Sequence, residues 1–208
     1  MPYAFATNTY TRMVHLDECL DKFDNTDKVI PQDIIENIQQ EMIKSNISNS
    51  DLNTKNCRHI LKKLNNRKYY EYVLLIISRI NSTEPLKIKD NDKTKIRKVF
   101  CGVAQTYCFC RPPNRINFFN YNYVIHRICE MIGLHEYLDL FPLLKSPTKL
   151  LENNLIWQNL CKYNYDGWKD YPYYNKVMEN TIKKINDNDD DITINLLKNF
   201  EKKLIIDV

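Results

Sequence analysis

Tyr121-Asn122-Tyr123-Val124-Ile125-His126-Arg127-Ile128-Cys129-Glu130-Met131-Ile132-Gly133 is the stretch whose reading decides the fold. Tyr121, Val124, Ile125, Ile128 and Ile132 recur at the three-and-four spacing that lines one side of an α-helix. Gly133 then supplies a residue that enters left-handed backbone without steric cost, the usual way a helix stops. Just upstream, Arg111-Pro112-Pro113-Asn114 cannot be helical, because two prolines fix φ and remove donors.

The same period extends outward in both directions. Ile96, Val99, Phe100, Val103 and Tyr107 form the apolar side of a preceding helix. Before it, Tyr69, Tyr72, Val73, Ile76, Ile77 and Ile80 line a helix apolar enough to sit centrally in a core. Thr54 reads as the N-cap of a helix carrying Cys57, Ile60, Leu61 and Leu64, which Asn65-Asn66 ends. Pro31 suits the first turn of another, with Ile34, Ile35, Ile38, Met42 and Ile43 as its face. The first thirty residues are polar and irregular, with a helix near Met13–Phe23. Downstream, a short helical turn covers Leu134–Leu140. Ser146-Pro147 reads as N-cap and first-turn proline of a last core helix reaching Trp157 and Cys161. Strand signals are weak throughout. The expectation is an all-α, compact bundle of about five to seven helices, with an arm at 1–30, a helical core at 31–165 and an extension at 166–208. That extension holds the aromatic patch Trp168–Tyr174, an acidic linker at Asp187–Asp191 and a terminal helix at Ile192–Leu204.

Composition removes several function classes. Three glycines among 208 residues leave no clustered glycine loop to cradle phosphates. No His-Glu-x-x-His and no Gly-x-Ser-x-Gly occurs, so the chain reads as no enzyme and as having no small-molecule substrate. No apolar run approaches the roughly 20 residues that span a bilayer, and the first residues lack a signal-peptide pattern. The chain therefore reads as intracellular and without a membrane partner, and its seven cysteines as reduced thiols. Cys108-x-Cys110 with His126-x-x-Cys129 is the alternative set for zinc, although single-residue spacing departs from the usual knuckle. No cofactor is otherwise expected.

The net charge of +4 conceals a strong asymmetry. Residues 1–54 carry a balance of −5, residues 55–115 one of +11 and residues 116–208 one of −2. Within the basic stretch, Lys62, Lys63, Arg67 and Lys68 cluster at one helix junction. Lys87, Lys89, Lys93, Lys95, Arg97 and Lys98 form the approach to and start of another helix, and Arg111 and Arg115 flank the two prolines. Cations that neutralise phosphates release counterions, so these twelve residues are the candidate nucleic-acid contacts. The competing reading is a solvated face paired with the acidic N-terminal segment; the proline loop reads either as a docking or groove-insertion element or as a turn whose Phe118 and Phe119 cover the core while Arg115 caps a helix end.

One set of ordered blocks resembles a known family. Arg115-Ile116-Asn117-Phe118-Phe119-Asn120-Tyr121-Asn122-Tyr123-Val124-Ile125-His126 is followed by Cys129-Glu130, by Phe141-Pro142-Leu143-Leu144-Lys145-Ser146, and by Ile156-Trp157 and Cys161. Upstream stand Tyr10-Thr11-Arg12-Met13-Val14-His15-Leu16 and the stretch from Ile60-Leu61-Lys62-Lys63-Leu64 to Lys68-Tyr69-Tyr70. Over roughly residues 10–165 the chain resembles the poxvirus-type late transcription factor 3 family of nucleocytoplasmic large DNA viruses. The resemblance implies activation of late viral genes with a virus-encoded RNA polymerase and other late factors, on DNA, in the host cytoplasm (the viral factory) or the virion. Family members carry a cysteine-based zinc module before this core, and no Cys-x-x-Cys pair is present here. By helix count and a buried third helix the pattern is also similar to the cyclin box of general transcription factors. The alternative is a virion-associated structural or interaction protein with no nucleic-acid role.

Overall fold

A computed structural model describes residues 2–23 and 30–187, with side chains from Thr9 onward. Among the described residues every regular element is helical, as expected of the fold class. The chain divides into two compact units. The first comprises residues up to Cys19 together with those from Lys89 onward, and the second is Leu20–Ile88.

The second unit is built from α2 (Gln32–Lys44), α3 (Thr54–Lys63), a 3-10 turn at Arg67–Tyr72 and α4 (Val73–Ile80). Ile34, Ile38 and Met42 of α2, Cys57, Ile60 and Leu61 of α3, and Val73, Ile76 and Ile80 of α4 meet in one apolar cluster. At the start of α3 the cap is Asn53 and not Thr54. Asn53 is extended, at φ −113° and ψ 173°, and its Oδ1 accepts from the backbone N–H groups of Lys55 and Asn56 at 3.0 and 2.9 Å. Asn65 takes φ 56°, a left-handed conformation that asparagine tolerates, and this ends α3 where the paired asparagines suggest. The stripe from Tyr69 to Ile80 is not one helix. A 3-10 turn brings residues three apart into line, so Tyr69 and Tyr72 share a side before the α-helical period resumes.

The first unit contains α1 (Pro2–Asp21), α5 (Asp90–Cys110), α6 (Tyr121–Ile132), a 3-10 turn at His135–Leu140, α7 (Pro147–Tyr163), α8 (Tyr165–Trp168) and α9 (Tyr174–Asn186). The helix expected near Met13–Phe23 thus begins much earlier, at Pro2. Phe100, Val103 and Tyr107 of α5, Tyr123, Val124 and Ile128 of α6, and Ile156, Trp157 and Leu160 of α7 are all fully buried. The Ser146 side chain caps α7 as expected, accepting from Lys149 N at 3.5 Å with Pro147 in the first turn. Between α6 and α7 lies Arg127, a guanidinium with no exposed surface. It donates to Asn154 Oδ1 at 2.9 Å and Glu130 Oε2 at 2.7 Å, and sits 5.5 Å from the Tyr123 ring centroid. Tyr123 OH donates to the same Asn154 oxygen at 2.9 Å.

The aromatic patch folds back onto this unit: Trp168 stacks on Trp157 at 6.0 Å, and Tyr174 OH donates to Cys161 O at 2.7 Å. It leads into α9, a helix the sequence pattern does not announce, whose buried Tyr174, Val177, Thr181 and Ile185 pack inward. Apart from Asp187, the expected acidic linker lies outside the described residues, and so does the helix expected at Ile192–Leu204.

Gly133 closes α6 at φ +83°, and a Cβ there would lie 3.0 Å from Tyr173 Cε2. Gly133→Ala is expected to cost at least about 1 kcal/mol through left-handed backbone alone, and more through Tyr173. Its check is a melting midpoint lowered by several degrees with helical circular dichroism retained.

Candidate nucleic-acid interface

The second unit shows its cations to solvent. Because Cys57, Ile60 and Leu61 turn α3 inward, the residues at the complementary helical spacing, Lys55, Arg58, His59, Lys62 and Lys63, are all exposed. Lys62 and Lys63 are among the residues singled out by the sequence, whereas Lys55 and Arg58 are not. The signal for them was present, since both lie on the three-and-four stripe that ends at Lys62. Lys63 is committed: its Nζ pairs with Glu41, a carboxylate of α2 that also has Lys44 Nζ at 4.0 Å. The hydrogen bond from Lys63 holds the Glu41 carboxyl below its ordinary range, against the opposing effect of burial. Arg67 and Lys68 are exposed on the 3-10 turn, with Lys68 Nζ 5.1 Å from the Tyr69 ring centroid. Lys87 is exposed as well.

Of the seven candidate cations in the first unit, four are paired with or bonded to neighbouring groups and one is buried. Lys95 pairs with Asp92 at 2.7 Å and Arg97 with Asp17 at 2.6 Å. Lys93, expected on the surface, is buried, because it lies three residues before Ile96 on the inward stripe of α5. Lys89 and Lys98 are exposed. Arg111 and Arg115 fasten the proline loop. Arg115 donates to Asn153 Oδ1 at 2.6 Å, Tyr107 OH at 2.9 Å and Asn117 O at 3.2 Å. Arg111 donates to Pro112 O and Pro113 O at 3.4 Å and to Arg115 O. Tyr107 OH in turn donates to Asn117 O at 2.6 Å. Phe119 is buried against Tyr107 and Trp157, and Phe118 packs edge-on to Phe100 and Tyr107. The loop's aromatics thus face its own core, and its two arginines are held by loop and helix oxygens.

The alternative zinc set is not gathered. Cys110 and Cys129 are buried thiols, both pushed up to about 12 by desolvation. The His126 Nδ1 lies 2.9 Å from Phe141 O. Among the described residues no three His, Cys, Asp or Glu side chains stand close enough to share a metal ion. No helix among them is long and apolar enough to cross a membrane.

Comparison with known proteins adds an independent observation. The family described as Poxvirus Late Transcription Factor VLTF3 like matches residues 4–170, a range that begins in α1 and ends past α8. The chain is 42% identical over 168 residues to the protein named "Putative transcription factor R429" of Acanthamoeba polyphaga mimivirus, covering 79% of this chain and 38% of that one. It is 32% identical over 154 residues to "Putative transcription factor A494R" of Paramecium bursaria Chlorella virus 1, covering 73% and 43%. It is 28% identical over 134 residues to "Viral late gene transcription factor 3" of Fowlpox virus (strain NVSL), covering 63% and 57%. The chain thus spans less than two thirds of the length of these curated relatives. No solved structure matches it.

Two outcomes test the internal roles assigned above. Arg115→Ala leaves Asn153 Oδ1 and Tyr107 OH without their charged partner, and is expected to cost about 2 kcal/mol in chemical denaturation. Burial lowers the His126 pKa from 6.5, only partly offset by Phe141 O and Glu130. The folded state therefore holds this imidazole neutral while the unfolded chain protonates first. The His126 contribution is full above pH 6.5 and falls as the pH drops below it toward the lower folded value. His126→Gln should flatten the melting-midpoint profile in that window, and an unchanged slope would contradict the assignment.

Proposed function

The chain belongs to the poxvirus late transcription factor VLTF3-like family, and from that premise we propose that it acts in late viral transcription as an accessory factor of the virus-encoded RNA polymerase. The observation that carries this reading is the reach of the family match: it runs through both compact units, so both belong to what the family shares. The work proposed is recruitment or stabilisation by binding and not chemistry on a substrate. In keeping with that, the unusual polar groups join elements of the scaffold: Arg127 donates to Asn154 and Glu130, Tyr123 donates to Asn154, and Arg115 donates to Asn153. Its partners on this reading are polymerase subunits and other late factors, assembled where late genes are transcribed in the infected cell. A basic surface would add weak, salt-sensitive attraction to template DNA without itself choosing a promoter.

Affinity capture of the tagged protein late in infection tests the proposal. Polymerase subunits and late factors are expected in the eluate, and depletion of the protein should reduce late transcripts while sparing early ones. An eluate of capsid and core proteins without polymerase, with late transcription intact, would instead make the chain a structural component of the virion.

A further inference from the structure

We propose that the exposed side of α3, continued by the 3-10 turn after it, is the surface through which the chain holds the sugar-phosphate backbone of duplex DNA. The contact residues are Lys55, Arg58, His59, Lys62, Arg67 and Lys68, and their assignment rests on the transcription reading above. What favours them is the effect of folding on the charges of the second unit. Helix periodicity collects the cations of α3 on one side, while the neighbouring helix α2 exposes Asp33 and Glu36. Lys63, at the end of α3, is held by the Glu41 carboxylate. From Leu52 to Tyr70 the sequence contains no acidic residue, so the stripe keeps its cationic excess. Asp51 precedes the α3 cap and is bonded to Ser48, and Glu71 is the acidic residue of the 3-10 turn.

Shape and chemistry favour duplex DNA over single strands. Ten residues of α3 present a straight face of about 15 Å, and a helix of this size enters the roughly 12 Å major groove of B-form DNA. The deep, narrow major groove of A-form RNA does not admit it. Proteins that hold single strands offer aromatic rings for bases to stack on. Here Tyr69, Tyr70 and Tyr72 are half-buried against the unit's own core, and the exposed stripe is composed of cations and one imidazole. Ammonium and guanidinium groups donate to phosphate oxygens, and it is this backbone contact that positions the helix on the duplex.

The test measures binding of the full chain to a labelled short DNA duplex at two salt concentrations. Lys55→Gln, Arg58→Gln and Lys62→Gln are combined in one variant, and Lys145→Gln, Lys149→Gln and Lys183→Gln in a control of equal charge change on the other unit. All six side chains are exposed, and circular dichroism verifies that both variants fold. The α3 variant is expected to bind on the order of a hundredfold more weakly near physiological salt, with a log–log salt slope shallower by roughly 0.9 for each phosphate no longer neutralised. The control should bind as the parent does. If the parent itself fails to bind at low salt, the DNA component of the proposed function falls, and this surface with it. If the parent binds and the α3 variant binds equally well, only the assignment to α3 is overturned. Equal weakening of both variants would reduce the effect to net charge and overturn it too. Tighter binding to an RNA duplex or to single strands would overturn duplex DNA as the ligand.

Discussion

The packing of α6 against α7 is arranged around a buried positive charge, that of Arg127. A guanidinium removed from water costs several kcal/mol unless its donors are matched, and Arg127 is fully enclosed. Glu130, one helical turn away, supplies the countercharge, and the Tyr123 ring supplies a π-face. Asn154 on α7 supplies the neutral acceptor, and this last bond fixes α7 to α6 in both register and distance. The residue before it, Asn153, accepts from Arg115 and so carries the constraint into the proline loop and on to Tyr107 of α5. Two adjacent asparagines of α7 therefore tie three helices and a loop to one another. An apolar core of the same volume would hold these elements together as firmly, but it would not specify their register in this way.

The parts of this fold that are legible in the sequence are those in which apolar spacing and punctuation agree. Helices α5, α6 and α7 end or begin where Arg111-Pro112, Gly133 and Ser146-Pro147 place them, because those residues act through their own backbone chemistry. Helix α9 is illegible for the opposite reason: its inward stripe includes Thr181 and Tyr174, which become apolar in effect only once Val177 O and Cys161 O accept their hydroxyl protons. The cap of α3 falls one residue before the position its pattern suggests, a difference that depends on backbone conformation more than on residue type. The candidate surface is legible only as a local excess of charge. Composition counts Lys93 and Arg115 equally with Lys62, and only packing separates a buried lysine, or a guanidinium spent on Asn153, from an ammonium in water.

That separation has an electrostatic meaning. The first unit uses its arginines as internal fasteners, since the planar fork can satisfy several oxygens at once. The second unit holds together by aliphatic contact among Ile34, Ile38, Leu61 and Ile76, and among its described residues the ion pair made by an α3 cation is that of Lys63 with Glu41. Fold and recognition therefore make separate demands on this unit. Its stripe can vary in charge without a packing penalty, whereas the same substitutions at Arg127 or Arg115 would disturb the scaffold.

The stacked indoles have an optical consequence. The chain has two tryptophans, Trp157 and Trp168, 6.0 Å apart and both in the first unit, while the chromophores of the second unit are tyrosines. Emission excited at the red edge of the absorption band therefore arises from one unit alone, and close stacking makes it sensitive to the docking of Trp168. The chain carries an intrinsic reporter for one of its two units. Comparing its transition with the far-ultraviolet signal of all helices measures whether the two units unfold as one cooperative body or as two.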